Sequence, residues 1–329
     1  MTQYKLVGIG NAVVDVISHA DDSFLDMMGI EKGIMQLIER ERGEVLYAAM
    51  SDRLQTPGGA VANTIAGVGA LGLPTAFIGR VHDDALGQFY AQSMQDSGTD
   101  FVNDPVPGGE LPTSRSMIFV SPDGERSMNT YLGISTELGP EDVPDAVASS
   151  TEMMFLEGYL FDKDKGKEAF RQAARLTRTG GGKAGIAISD PFCVDRHRED
   201  FLDMIGNELD YVIGNEHEIR SLFETDDLEG ALAKTADMIS LVICTRSGDG
   251  VTIIGDGARH DIPVETVTPV DATGAGDQFA AGFLFGLMNG YDLGTCGRMG
   301  NLCAAEVISH VGPRPQRDMR QAFHAAGLL

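Results

Sequence analysis

Along this chain, short continuous apolar runs alternate with stretches whose apolar residues recur every three to four positions. The runs "YKLVGIG", "PTAFIG", "EMMFLEG", "KAGIAIS", "LDYVIG" and "SLVICT" show little polar alternation, the pattern of strands buried on both faces. Between them the spacing predicts helices such as Asp83–Asp96, Asp164–Arg178 and Leu228–Met238. This rhythm predicts an α/β fold with a doubly wound, mostly parallel sheet. Ligands of such sheets bind outside the carboxyl ends of the strands, so chemistry is sought in the loops that follow these runs.

Two stretches break the rhythm, at about 16–39 and 100–132. In the second, "SRSMIFV" and "RSMNTYL" flank the turn-forming "SPDGERS" and predict a hairpin instead of βα units. Both stretches are read as insertions forming a small β lid over the sheet edge; an appendage or a dimer surface is the plainer alternative. With no internal repeat and no linker, residues 1–329 are expected to form a single domain.

Composition narrows the function classes. The net charge of −24, from 49 acidic and 25 basic residues dispersed along the chain, repels nucleic acid and anionic lipid surfaces. An anionic ligand would therefore need a local positive device, such as a helix N-terminus or a metal ion. The four cysteines, Cys193, Cys244, Cys296 and Cys303, show no CxxC spacing, which disfavours zinc and a disulfide framework. No apolar run approaches ~20 residues and the N-terminus lacks a basic n-region, so a cytoplasmic protein is expected.

"DATGAGD", Asp271 to Asp277, leads into "QFAAGFLFGLMNG", whose apolar positions continue with helical spacing. Gly274 and Gly276 permit positive φ and close approach of another group, and the N–H groups of Ala275, Gly276 and Asp277 would converge at a helix N-terminus suited to an anion. A carboxylate beside a bound phosphate is electrostatically unfavourable, so Asp277 is read as a base for an attacking hydroxyl; a first-turn acid complementing the helix dipole is the simpler alternative. The string resembles the D-T/A-x-G-A-G-D signature of the ribokinase-like carbohydrate kinases, the PfkB family. "GGAVANTIAGVGALGLPTAFIGRVHDDALGQFY", from Gly58, is similar to the family's N-terminal signature, departing from it at Ile65 and His82.

Other motifs follow in the family's order. "GNEHE", containing Asn215 and Glu218, resembles its N-x-x-E motif, which implies magnesium held mainly through water; a helix N-cap with an acid at N3 is the alternative. "TRSGDG", Thr245 to Gly250, resembles its nucleotide loop with Ser247 in place of a glycine. The resemblance implies ATP near Thr245, Gly250, Asn215, Gly274 and Asn301. It also implies a monovalent cation, K+, near Asp271, Ser309 and Gly312.

"GIGNAVVDVI" and "SDPFCV" are closest in pattern to the adenosine kinases of the family. That likeness implies Asn11, Asp15, Gly58, Gly59 and Asn63 around a ribose, with Phe192, Met35 and Leu37 facing a base. The expected activity is ATP-dependent phosphorylation of a hydroxymethyl group of a nucleoside, adenosine foremost, with ribose- or fructose-like sugars as the alternative. The expected partners are small molecules, with the chain a monomer or homodimer. A dinucleotide-dependent dehydrogenase is disfavoured because "GIGNAV" lacks the third glycine of GxGxxG. A non-catalytic sensor would be expected to lose the base or the anion loop, and both are present. No GxxxxGKS/T string occurs, so the phosphate is not expected to be held as in P-loop proteins.

Overall fold

The computed structural model describes residues 4–264 and 267–329. Each apolar run becomes a strand of one nine-stranded sheet. Its spatial order is Ala258–Ile262, Val251–Gly255, Leu241–Thr245, Tyr211–Asn215, Lys183–Ala187, Met153–Glu157, Leu6–Ile9, Thr75–Ile78 and Thr99–Phe101. All neighbours pair in parallel except Val251–Gly255, which runs antiparallel to both Leu241–Thr245 and Ala258–Ile262. Alternate side chains feed two cores, one on each face. Leu6, Phe77, Phe155 and Ile213 pack with the helices Ala60–Ala70 and Ala275–Met288, whereas Val7, Ile78, Leu156 and Val212 pack with Asp164–Thr179 and Pro191–Asn207. Burial on both faces explains why the runs are continuous rather than alternating.

The chain order reverses between Leu6–Ile9 and Met153–Glu157, creating a crevice at the carboxyl ends of these strands. Asn11, Glu157, Asp190, Asn215 and Thr245 all sit at or just beyond such ends. A single topological feature thus gathers side chains from five distant parts of the sequence.

The second sheet has five strands, ordered Met35–Leu37, Arg126–Tyr131, Ser114–Val120, Val13–His19 and Leu54–Pro57. The expected hairpin is present as the antiparallel pair Ser114–Val120 and Arg126–Tyr131. The boundaries differ from the sequence reading. The sheet begins at Val13, takes in the four-residue strand Leu54–Pro57, and leaves Thr99–Phe101 to the edge of the large sheet. Register places Asp15 beside Ser116, Ser116 beside Thr130 and Thr130 beside Leu37, so one row of side chains crosses the sheet.

Of the expected helices, Leu228–Met238 forms as read and Asp164 opens a helix running to Thr179. The third starts at Ala85 because Asp84 stays extended and caps Gly87 N at 2.8 Å. All four cysteines are buried and free. Among the described residues, no helix is long and apolar enough to cross a membrane.

Candidate active site

Asp277 occupies the first turn of the helix Ala275–Met288, whose N-cap, Gly274, has a φ of 78°. A side chain at Gly274 would meet Pro313 at 2.6 Å, so both conformation and space demand glycine. At this helix start the N–H groups of Gly276 and Asp277 find no partner among the described residues, and Gly276 has open space around it. Ala275 departs from the expectation, because its N–H already donates to Ala272 O at 3.2 Å. The anion seat therefore rests on two N–H donors, not three.

Around Asp277 a polar network closes the base of the cleft. Buried Asn63 donates through Nδ2 to Asp277 Oδ2 at 3.1 Å, and its Oδ1 accepts from Arg314 Nε at 3.2 Å. Burial pushes the Asp277 carboxyl up to about 7; Glu157 and Asp15 add to the rise, while Asn63 and Arg314 oppose it. Asp15 is likewise raised to about 7 by burial, against the pull of Arg126 and Arg314. Asp15 and Asp277 face the Arg314 guanidinium and Glu157 adds negative charge near Asp277, an environment in which a carboxyl can take up a proton near neutrality.

The two glycines of the upstream motif serve different contacts. A Cβ at Gly58 would lie 2.7 Å from the Asp15 carboxylate, and one at Gly59, where φ is 94°, would strike Asn11 O. Glu157, 1% exposed, ties this corner together. It accepts from Asn11 N at 3.1 Å, Asn11 Nδ2 at 2.9 Å and Val61 N at 3.0 Å. The last contact sets a carboxylate against the N-terminus of the helix Ala60–Ala70, a favourable placement for negative charge.

Two cavities meet at Asp277. The larger, about 570 Å³, has a polar floor of Asn11, Asp15, Asn63 and Asp277 and an apolar wall that includes Met35, Leu37, Met128 and Phe192. The smaller, about 120 Å³, is lined by Asn215, Glu218, Thr245, Gly276 and again Asp277. Phe192 is 73% exposed at the rim, so it stands at the mouth of the larger cavity and is not core.

The remaining expected residues fall into two groups. Asn215 and Glu218 form a capping box: Asn215 Oδ1 accepts from His217 N and Glu218 N, while the Glu218 carboxylate accepts from Asn215 N at 3.0 Å and Nδ2 at 2.6 Å. Burial lifts Glu218 to about 7, with Asp190 adding to the rise and Asn215 N–H opposing it. Glu218 and Asn215 line the small cavity, and their oxygens are hard donors of the kind that fits magnesium through water. Gly250 and Asn301 line neither cavity; Asn301 Nδ2 donates to Pro263 O at 3.1 Å. Ser247 adopts a φ of 47°, the left-handed conformation that suits the glycine it replaces.

The cation site implied around Asp271 does not fit. Asp271 pairs with Arg126 and accepts from Thr273 N at 3.0 Å and Gly312 N at 3.1 Å. Burial works to raise its pKa, but these donors outweigh it and hold the carboxyl below its ordinary value. The Ser309 hydroxyl is spent on Glu306 O at 2.6 Å. A carboxylate already neutralised by a guanidinium is poorly placed to ligate a second cation.

Glu157, Arg314 and Arg126 escaped the sequence reading. A glutamate at the end of the run "EMMFLEG" was the available signal for Glu157, since a charge ending a buried strand calls for a partner. The two arginines reach the site from remote segments and left none.

Comparisons with known proteins agree with this geometry. Residues 28–319 match the model of the pfkB family carbohydrate kinases. A probable sugar kinase from Rhizobium etli superposes with a TM-score of 0.93 at 42% identity, covering 100% of both chains. An adenosine kinase from Sinorhizobium meliloti gives 0.92 at 42% identity, covering 99% of this chain and 100% of its own. A fructokinase from Klebsiella pneumoniae is 29% identical over 71% of this chain and 78% of its own. The chain belongs to the pfkB family of carbohydrate kinases and is a phosphotransferase.

Proposed function

We propose that this enzyme transfers the γ-phosphoryl group of ATP to a hydroxymethyl group of a nucleoside, with adenosine as the expected acceptor. The observation that carries the reading is the placement of Asp277, shared by an acceptor-sized cavity and a narrow one that reaches Asn215 and Glu218. An acceptor in the larger cavity would set its polyol on Asn11, Asp15 and Asn63 and its flat, less polar end against Met35, Leu37 and Phe192. A sugar alone would leave that apolar wall uncovered. The 42% identity to the Sinorhizobium meliloti adenosine kinase supports the same choice.

In this reading Asp277 removes the proton from the acceptor hydroxyl as its oxygen bonds to the γ-phosphorus and ADP departs. Gly276 N–H and Asp277 N–H stabilise charge on the transferring group. Asn63, held by Arg314, keeps the Asp277 carboxylate oriented. A magnesium ion held through water by Glu218 and Asn215 would neutralise the triphosphate. The small sheet acts as a lid carrying Asp15, Ser116 and Thr130, whose closure would exclude water from the transfer.

A sugar acceptor is the second reading, favoured by the polar floor, which any polyol could use, and by the sugar-kinase relatives. ADP production from ATP and magnesium with adenosine, other nucleosides, ribose and fructose decides between them. Adenosine-dependent turnover supports the first; turnover with sugars alone overturns it and keeps the mechanism.

A further inference from the structure

The helix that carries Asp277 borders another cavity, of about 390 Å³, on a different side. Gln278 and Ala281 line it, whereas Gly276, Asp277 and Ala280 line the small cavity. At about 100° per residue these sets face different directions round the helix. Three arginines, Arg314, Arg317 and Arg320, border this rear cavity. In a chain of net charge −24, none of the three has a carboxylate within salt-bridge distance among the described residues.

The partners of these groups leave capacity for a ligand. Arg320 Nη1 donates to Leu71 O at 3.0 Å, and the Arg317 side chain, exposed, makes no hydrogen bond among the described residues. The one acid on the wall, Asp318, is occupied in accepting from Gln321 N at 3.1 Å and Gln321 Nε2 at 3.0 Å. Gln278 lies deep in this wall. Gln278 is 1% exposed and donates through Nε2 to Asn63 O and Pro313 O, yet its Oε1 accepts nothing. That oxygen lies against Gly67, itself part of the cavity wall. Gly67 seals this oxygen from the cavity, so the arginines are the groups that face a ligand there.

We propose that this rear cavity binds a small phosphate monoester. The arginine forks suit the phosphate oxygens. The site is coupled to catalysis through Arg314, which borders the cavity and also holds Asn63, the residue bonded to Asp277. An anion that draws the guanidinium rearward loosens that chain and changes turnover. This proposal does not depend on which acceptor the enzyme uses.

Isothermal titration with glycerol 3-phosphate tests it, with glycerol as the uncharged control. The wild type and Asp15→Ala, whose acceptor cavity is crippled, are expected to bind the phosphate ester alike and glycerol not at all. Arg317 anchors nothing else, so Arg317→Ala is expected to fold, to bind the ester at least tenfold more weakly and to keep its basal turnover. Arg320→Lys keeps a donor for Leu71 O but loses the fork, and a loss of about threefold is expected. Saturating ester should change turnover at least twofold in the wild type and not in Arg317→Ala. Absence of binding at millimolar ester, binding lost in Asp15→Ala, or binding indifferent to Arg317 would overturn the site; binding without any effect on wild-type turnover would overturn the coupling.

Discussion

The two sides of Asp277 are built differently. The small cavity takes its candidate magnesium and anion groups from short sequence strings, with Asn215 and Glu218 three residues apart and Gly276 next to Asp277, while the rest of its lining comes from four further segments. The large cavity takes Asn11 and Asp15 from one segment, Met35 and Leu37 from another, and Asn63, Met128, Glu157 and Phe192 from four more. A phosphate looks the same in every substrate, so a local loop with two free N–H groups suffices for it. An acceptor varies, and a wall assembled from separate loops can change one segment at a time without disturbing the phosphate seat.

This contrast can be broken at several points. The largest effect is expected for Asp277→Asn, which removes the base and leaves both cavities lined. Its kcat should fall by roughly 10²–10⁴, with adenosine and ATP affinities within a few-fold of wild type by titration. Next comes Asp15→Ala, on the acceptor side alone. It should raise the acceptor KM by about 100-fold and move the ATP KM little, because a buried polyol partner is lost; equal changes in both constants would erase the distinction between the sides.

Glu157→Gln replaces an acceptor of three N–H bonds by a side chain that must turn a donor toward one of them. Loss of about 1–3 kcal/mol of stability is expected in denaturant titration, together with a weaker acceptor KM, since Asn11 loses its anchor. Phe192→Ala is the mildest. At an exposed rim it should weaken a nucleoside by about tenfold or less and leave a plain sugar unchanged.

Stability should also depend on pH, through the same crowded carboxyls. Asp277 and Asp15, both raised to about 7 in the folded protein from an ordinary 3.8, bind more protons folded than unfolded between those values. Their contribution is therefore fully present below pH 4 and is lost as pH rises through 7. Since one pKa unit corresponds to about 1.4 kcal/mol, a rise of about three units means that Asp277→Asn should stabilise the ligand-free protein by up to about 4 kcal/mol at pH 8 and leave it unchanged at pH 4. Thermal unfolding across that range checks the slope.

The same contrast governs what could be read from the sequence. Continuous apolar runs announced the strands of the parallel sheet, because burial on both faces leaves a one-dimensional record. The glycine strings announced the turn before Asp277 for a similar reason, since φ of 78° at Gly274 and the contact with Pro313 both exclude a side chain. Leu54–Pro57 stayed hidden because it is only four residues long, mixes apolar and polar residues, and leaves its one large apolar side chain, Leu54, exposed. Arg314 was hidden for a different reason: its value lies wholly in Asn63 and Asp277, residues more than 30 positions away that only the fold brings near. The cation expected at Asp271 failed because nothing local to "DATGAGD" reveals that Arg126 crosses from the small sheet to pair with it.

The most direct test of Asp277 as a base between two cavities is the pH dependence of single-turnover phosphoryl transfer in the wild type, at saturating ATP and acceptor. The rate is expected to rise about tenfold per pH unit below about 7 and to level off above it, as one carboxyl gives up its proton. A rate that stays flat from pH 5.5 to 8.5 with both ligands bound would contradict the account.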